Sequence, residues 1–231
     1  MNGRWIRFAA IALGVVALGT IAGAHPMTGR NATFVQGIQG PAVAPFMYLG
    51  AKHMVTGYDH LLFLVGVIFF LYRLKDVVLY VSLFTLGHSV TLLAGVLGGI
   101  RANPYLVDAV IGASVAYKAF ENIGGFDRLL GLRPDTRLAV LVFGLFHGFG
   151  LATKLQEFTL SSDGLVINIV SFNIGVELGQ VLALTLVLIL LTSWRARSGF
   201  LRHAFVTNTV LMTAGFVLAG YQLAGYVVSR A

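Results

Sequence analysis

Long apolar runs alternate along this chain with short breaks that carry glycine, proline and charge. Six apolar segments stand out, at about 45–72, 76–99, 105–124, 137–153, 164–194 and 200–228. Segments near ~20 apolar residues are what a helix needs to cross roughly 30 Å of hydrocarbon. The breaks include "GGIRANP", "GGFDRLLGLRPD", "SSDG" and "RARSG", which hold turn formers but no linker long enough to separate soluble domains. The pattern predicts an all-α integral membrane protein, a compact bundle of about six transmembrane helices over residues 45–231. Ahead of the bundle, Arg4 and Arg7 precede an apolar stretch from Phe8 to Ile21, and the small residues Ala22 and Ala24 follow. That order predicts a cleaved signal peptide over residues 1–24. Residues 25–44 are Gly-rich and aperiodic and read as an extracytoplasmic lead-in.

Composition agrees with this picture. The 231 residues are 57% hydrophobic and 11% charged, against about a quarter charged in a soluble domain. The formal charge of +7 does not indicate a nucleic-acid partner, because the basic residues are scattered between apolar runs. They act as topology signals. With a cleaved signal peptide, the loops predicted to be cytoplasmic contain Arg73, Lys75, Arg128, Arg133, Arg137, Arg195, Arg197 and Arg202, against five basic residues on the other side. Both mature termini are therefore expected outside the cytoplasm. The chain has no cysteine, so a metal site would use imidazole, carboxylate, amide or water. Such ligands suit nickel, cobalt, zinc, manganese or iron(II) better than copper(I).

The candidate chemistry lies in polar residues that a bilayer should exclude, each costing roughly 2.5–3.5 kcal/mol at mid-membrane on insertion scales if charged. His53, Asp59 and His60 fall at the outer end of the first segment, His88 and His147 in the outer halves of the second and fourth. Four histidines at a common predicted depth point to one metal site, although a lone membrane histidine is as readily an interhelical hydrogen-bonding residue. Ser89 is a candidate supporting donor. Asp108 is a further candidate, but it also reads as a simple charge at a helix N-terminus. Lys118 and Glu121, spaced i,i+3, read as a structural pair, with Lys118 snorkelling toward the cytoplasm. Asn173, Glu177 and Gln180 share one helical face, so they are expected to line the interior or a water-filled path. Gly144 and Gly148 form a GxxxG pair suited to close helix packing.

Geometry constrains the first segment. Seven residues of regular helix separate His53 and His60 by about 10.5 Å, too far for one ion with metal–nitrogen bonds near 2.1 Å. Either the helix breaks near Gly57, or the two histidines mark successive positions along a route. Asp59 is placed either to ligate from the side or to orient an imidazole.

The pieces "HMVTGYDHLLFL", "FTLGHSVTLL", "FGLFHGFGLA" and "FNIGVELGQ", in that order, resemble the HupE/UreJ family of small bacterial membrane proteins. The resemblance implies a bacterial inner-membrane protein tied to nickel supply for hydrogenase or urease, with a permease role and nickel-enzyme maturation factors as expected partners. Carried over residue by residue, its polar positions are His53, Asp59, His60, His88, His147 and Glu177. Two functional expectations follow. One is a divalent-metal permease, with nickel as leading substrate and zinc or cobalt as alternatives, in which the ion passes from the histidines toward Glu177. The other is an intramembrane zinc hydrolase using the same His/Asp cluster to activate water.

Overall fold

The computed structural model describes residues 37–156 and 162–230. The expected signal peptide over 1–24 and most of the lead-in over 25–44 lie outside the described residues. Among the described residues there are seven α-helices, one π-helical turn and no strand. In chain order the helices are α1 (Val43–Thr56), α2 (Tyr58–Ile68), α3 (Leu74–Gly98), α4 (Pro104–Asn122), α5 (Thr136–Leu155), α6 (Leu165–Arg195) and α7 (Phe200–Val228). The π-helical turn, Phe126–Leu130, lies between α4 and α5.

Local sequence explains several of these boundaries. Asn103 accepts the backbone N–H groups of Tyr105 and Leu106 and is followed by Pro104, an N-cap with proline in the first helical position. Asp135 caps α5 in the same way, through Arg137 and Leu138. Gly99 ends α3 in the left-handed region at φ +62°, where the Ile100 N–H returns to the Gly95 carbonyl.

The segment read as one element over 45–72 is divided. At Gly57, φ −77° and ψ 88° depart from helix; α1 closes with the Gly57 N–H on the His53 carbonyl, and α2 starts at the next residue. With 14 and 11 residues, each piece is about 16–21 Å long, short of a bilayer. Among the described residues, four helices are by length and composition long and apolar enough to cross a membrane: α3, α5, α6 and α7. The expectation of six is thus met in part. The 19-residue α4 is long enough but contains Asp108, Lys118 and Glu121. Large apolar side chains such as Leu182, Leu190, Phe216 and Val217 are exposed along α6 and α7. An outer surface of that kind suits lipid, not water.

The long helices associate as three close pairs, α1 with α6, α3 with α5, and α4 with α7. Small residues make each approach possible. A Cβ at Gly175 would overlap the Met47 carbonyl, one at Gly148 would overlap the His88 carbonyl, and one at Gly215 would overlap Ala116. The GxxxG expectation is therefore met on α5, where Gly144 faces Phe84 and Gly148 faces His88. Contacts between Gly50 and Phe172 and between Ala51 and Gly179 advance together, so α1 and α6 run parallel. Helices α3 and α5 are also parallel, while α4 and α7 are antiparallel.

The short α2 sits among the three pairs and touches α1, α3, α4, α6 and α7. Its terminal carbonyls lack helical partners and need others in a dry interior. Arg195 of α6 donates to Ile68 and Phe69 at 2.6 Å and to Leu71 at 2.9 Å, and lies over the Tyr72 ring. Asn122 of α4 donates to the Gly66 carbonyl at 2.8 Å and to Asn208 of α7 at 2.9 Å. Before α1, Asn168 of α6 accepts the Ala42 N–H at 2.6 Å and donates to the Gly40 carbonyl at 3.0 Å. Lys118 and Glu121 do pair, at 2.6 Å, and Thr136 also donates to Glu121. Lys118 is buried, not snorkelling; Glu121, on its own helix, keeps its ammonium inside.

Gly175→Leu is expected to destabilise the protein by roughly 1–3 kcal/mol or more, because the added volume meets backbone that cannot retreat. Gly220→Ala adds a Cβ with nothing within 4 Å and is expected to leave stability unchanged or slightly improved. Thermal melting of the two variants in detergent checks both.

Candidate metal centre

The break at Gly57 has a direct chemical result. It removes the helical rise that would hold His53 and His60 apart, and their ring centroids stand 5.0 Å from each other. Of the two geometries open to the first segment, the broken one is observed. A Cβ on residue 57 would lie 2.9 Å from the His53 carbonyl and 3.2 Å from His60 Nδ1, so glycine leaves room for the turn and for the imidazole beside it.

His88 of α3 and His147 of α5 reach the same place. The His60 ring lies 5.8 Å from His88 and 4.7 Å from His147. Gly148, next to His147, lets the α5 backbone rest on the His88 carbonyl, so the α3–α5 approach also sets the spacing of the two histidines. All four side chains are buried, His88 completely. One donor atom each from His53, His60 and His88 falls within a mutual distance of 4.8 Å. His147 falls outside that set of three but packs directly against its His60 member. His203, the remaining described histidine, is exposed at the start of α7.

Two of the imidazoles are oriented through Nδ1. His60 Nδ1 lies 2.9 Å from Asp59 Oδ1, and the same oxygen accepts the His60 backbone N–H at 2.9 Å. His147 Nδ1 lies 2.7 Å from the Phe143 carbonyl. An acceptor at Nδ1 assigns the proton there and leaves Nε2 with a lone pair. Neither Nε2 has a hydrogen-bond partner among the described residues, and His88 has the Asn173 amide beside it. Buried polar atoms in a dry interior are normally satisfied. Convergent imidazoles, two of them held by a second group as His60 and His147 are here, are an arrangement that first-row divalent cations bind. The residues therefore fit a metal ion, with Asp59 orienting His60 in place of a direct side-on ligand.

Aromatic rings enclose the cluster. Phe84 lies 5.0 Å from His147, Phe63 5.4 Å from His147, and Phe172 5.9 Å from His53. Phe63 also meets Phe84 and Phe143, each at 5.6 Å. Such walls exclude water and lower the local dielectric, which strengthens any ligand–ion interaction inside.

The stripe on α6 divides between two environments. Gln180 is fully buried and Asn173 half-buried, but Glu177 is exposed. Contacts of Phe172, Gly175, Val176 and Gly179 with α1 set the rotation of α6, and Glu177 lies round the flank from that face. Of the two surroundings expected for the stripe, the interior or a water-filled path, Glu177 does not take the interior. Asn173 is a polar neighbour of His88. Gln180 exchanges hydrogen bonds with Thr85 of α3 at 3.2 and 3.4 Å; Thr85 was not singled out from the sequence. Ser89 is half-buried and about 100° round the helix from His88. Asp108 does not join the histidines. It is paired with Lys154 at 2.9 Å and, with Tyr58 and Asp59, lines a small cavity beside them. Lys154 is not among the candidates the sequence singles out; its charge, of opposite sign to that of Asp108, was the available signal.

The family model described as HupE / UreJ protein matches residues 29–230, most of the chain. No curated protein and no solved structure matches it.

Asp59→Asn is expected to weaken divalent-metal affinity by about 10–100-fold, the usual cost of losing a carboxylate that orients a ligating histidine. Competition against a metallochromic chelator measures it. An unchanged affinity would show that His60 needs no such partner.

Proposed function

Because the chain belongs to the HupE/UreJ family, we propose that it is a divalent transition-metal permease with nickel as its leading substrate. The family is linked to nickel and metal handling, and the apolar helices make this a multi-pass membrane protein. The observation that carries the reading is the convergence of His53, His60 and His88, with His147 alongside, through the break at Gly57.

The ion enters from outside the cytoplasm, exchanges water for imidazole nitrogens and is held in a site shielded by aromatic rings. Neutral imidazole ligands release as well as bind, which conduction requires. The polar positions that continue beyond the cluster are Asn173, Thr85 and Gln180; Glu177 lies beside this route, on the outer flank of α6. In this reading the chain crosses the bacterial inner membrane six times, with α1 and α2 together making one crossing and α4 another. The direction of successive helices supports it. Residues 1–24 form the signal peptide, 25–44 the lead-in, and both mature termini are extracytoplasmic.

The zinc-hydrolase reading retains one observation in its favour. Phe63, Phe84 and Phe143 pack into a continuous floor against the cluster, as a closed reaction pocket would have. Transport requires that floor to part.

Purified protein prepared without chelators is expected to bind nickel stoichiometrically, and His88→Ala to lose it. Proteoliposomes containing the wild type are expected to accumulate radioactive nickel, and Gln180→Leu to reduce uptake severalfold with binding retained. Tight binding without accumulation would overturn the permease reading, and absence of bound metal would overturn both readings.

A further inference from the structure

Next to the histidine cluster, and separated from it by Asp59, lies a cavity of about 20 Å³ lined by Tyr58, Asp59, Asp108, Ile111, Gly112, Leu218 and Gln222. A space of this size holds about one water molecule or a cation of similar size. Its polar groups come from the start of α2, the second turn of α4 and the last turns of α7. Asp59 is both a wall of the cavity and the partner of His60 Nδ1. The cavity is thus one side chain away from the imidazoles.

A cation is already present at this place, and it belongs to the protein. Lys154, at the end of α5, donates to both carboxylate oxygens of Asp108, at 2.9 and 3.1 Å. It also lies within electrostatic range of Asp59. The pair is mostly buried, with 22% of the Lys154 side chain and 11% of the Asp108 side chain exposed. An ammonium on a flexible four-carbon stem is a compact point charge that can leave a carboxylate without moving the backbone.

We infer that Lys154 is a tethered competitor for the incoming ion: it occupies Asp108 at rest, and an arriving divalent cation displaces it before passing Asp59 to the histidines. This inference rests on the metal-handling reading and adds to it a receiving carboxylate, Asp108, and a residue that sets the rate of entry, Lys154. A divalent ion competes for Asp108 with twice the charge of the ammonium, whereas a monovalent ion does not. The pair thereby discriminates by charge ahead of the site that discriminates by ligand type.

The test is the rate at which the purified full chain in detergent takes up nickel(II), followed by rapid mixing with a metallochromic dye that reports free nickel. Lys154→Met is expected to accelerate association about tenfold or more, in the range by which local charge changes on-rates. Asp108→Asn is expected to slow it, and the double variant to be as slow as Asp108→Asn alone. Lys154→Gln, which retains a donor for Asp108 without the charge, is expected to follow Lys154→Met and serves if that variant does not fold. A merely structural pair would lower the melting temperature of Lys154→Met and leave the association rate unchanged, which overturns the inference. A double variant as fast as Lys154→Met would show that Asp108 receives no ion, with the same consequence. If the wild type binds no nickel, the metal-handling reading itself fails; if it binds while Lys154→Met and Lys154→Gln match its rate, only the inference falls.

Discussion

A helix interrupted inside a low-dielectric interior must find partners for the backbone groups it exposes, and the rest of this structure is arranged around that demand. The interruption at Gly57 brings His53 onto His60. It also leaves α2 with 11 residues, too few to reach both faces of a bilayer, so its carbonyl end lies among side chains. Arg195 and Asn122 answer that end with charge-assisted and amide hydrogen bonds. Those groups serve the far end of α2; at the break itself the Gly57 N–H returns to the His53 carbonyl and Asp59 accepts the His60 N–H. The site therefore depends on residues well away from it along the chain.

The close helix pairs do for the other two histidines what the break does for the first two. Gly148 admits the His88 carbonyl, and Gly144 admits Phe84. Histidine spacing and backbone approach are one feature on α3 and α5, so a packing substitution there is also a substitution in the site. The neighbouring cavity with Lys154 and Asp108 adds charged groups beside a site otherwise made of imidazoles and aromatic rings.

That the histidines belong at one level of their helices was readable from the chain; rotation about each helix axis was not. His60, His88 and His147 were expected at a common level from the positions of their segments, and they do meet. His53 could be judged only conditionally. A glycine permits a break without requiring one, and the satisfaction of the α2 carbonyls comes from Asn122, 56 positions after Gly66, and Arg195, 124 positions after Leu71. Glu177 shows the limit most clearly. Its spacing from Asn173 and Gln180 defined a face, but which part of that face turned inward was set by Gly175 and Gly179 packing on α1. Asp108 and Lys154 were each visible as charges; their pairing needed the contact between α4 and α5.

The longest helix has a relation to the broken one that its packing alone does not convey. Near its start, α6 holds the chain just before α1 through Asn168, and at its last residue it holds the chain just after α2 through Arg195. The helix that carries both ties runs 31 residues without interruption, and the stretch from Asn168 to Arg195 is about 40 Å of rigid rod. α6 is therefore a splint across a fracture: the two fragments can hinge at Gly57, yet their far ends stay a fixed distance apart. Any motion that opens the histidine cluster must bow the fracture sideways or slide both fragments along the rod together, because pulling them apart lengthwise would first have to break the splint's own fastenings.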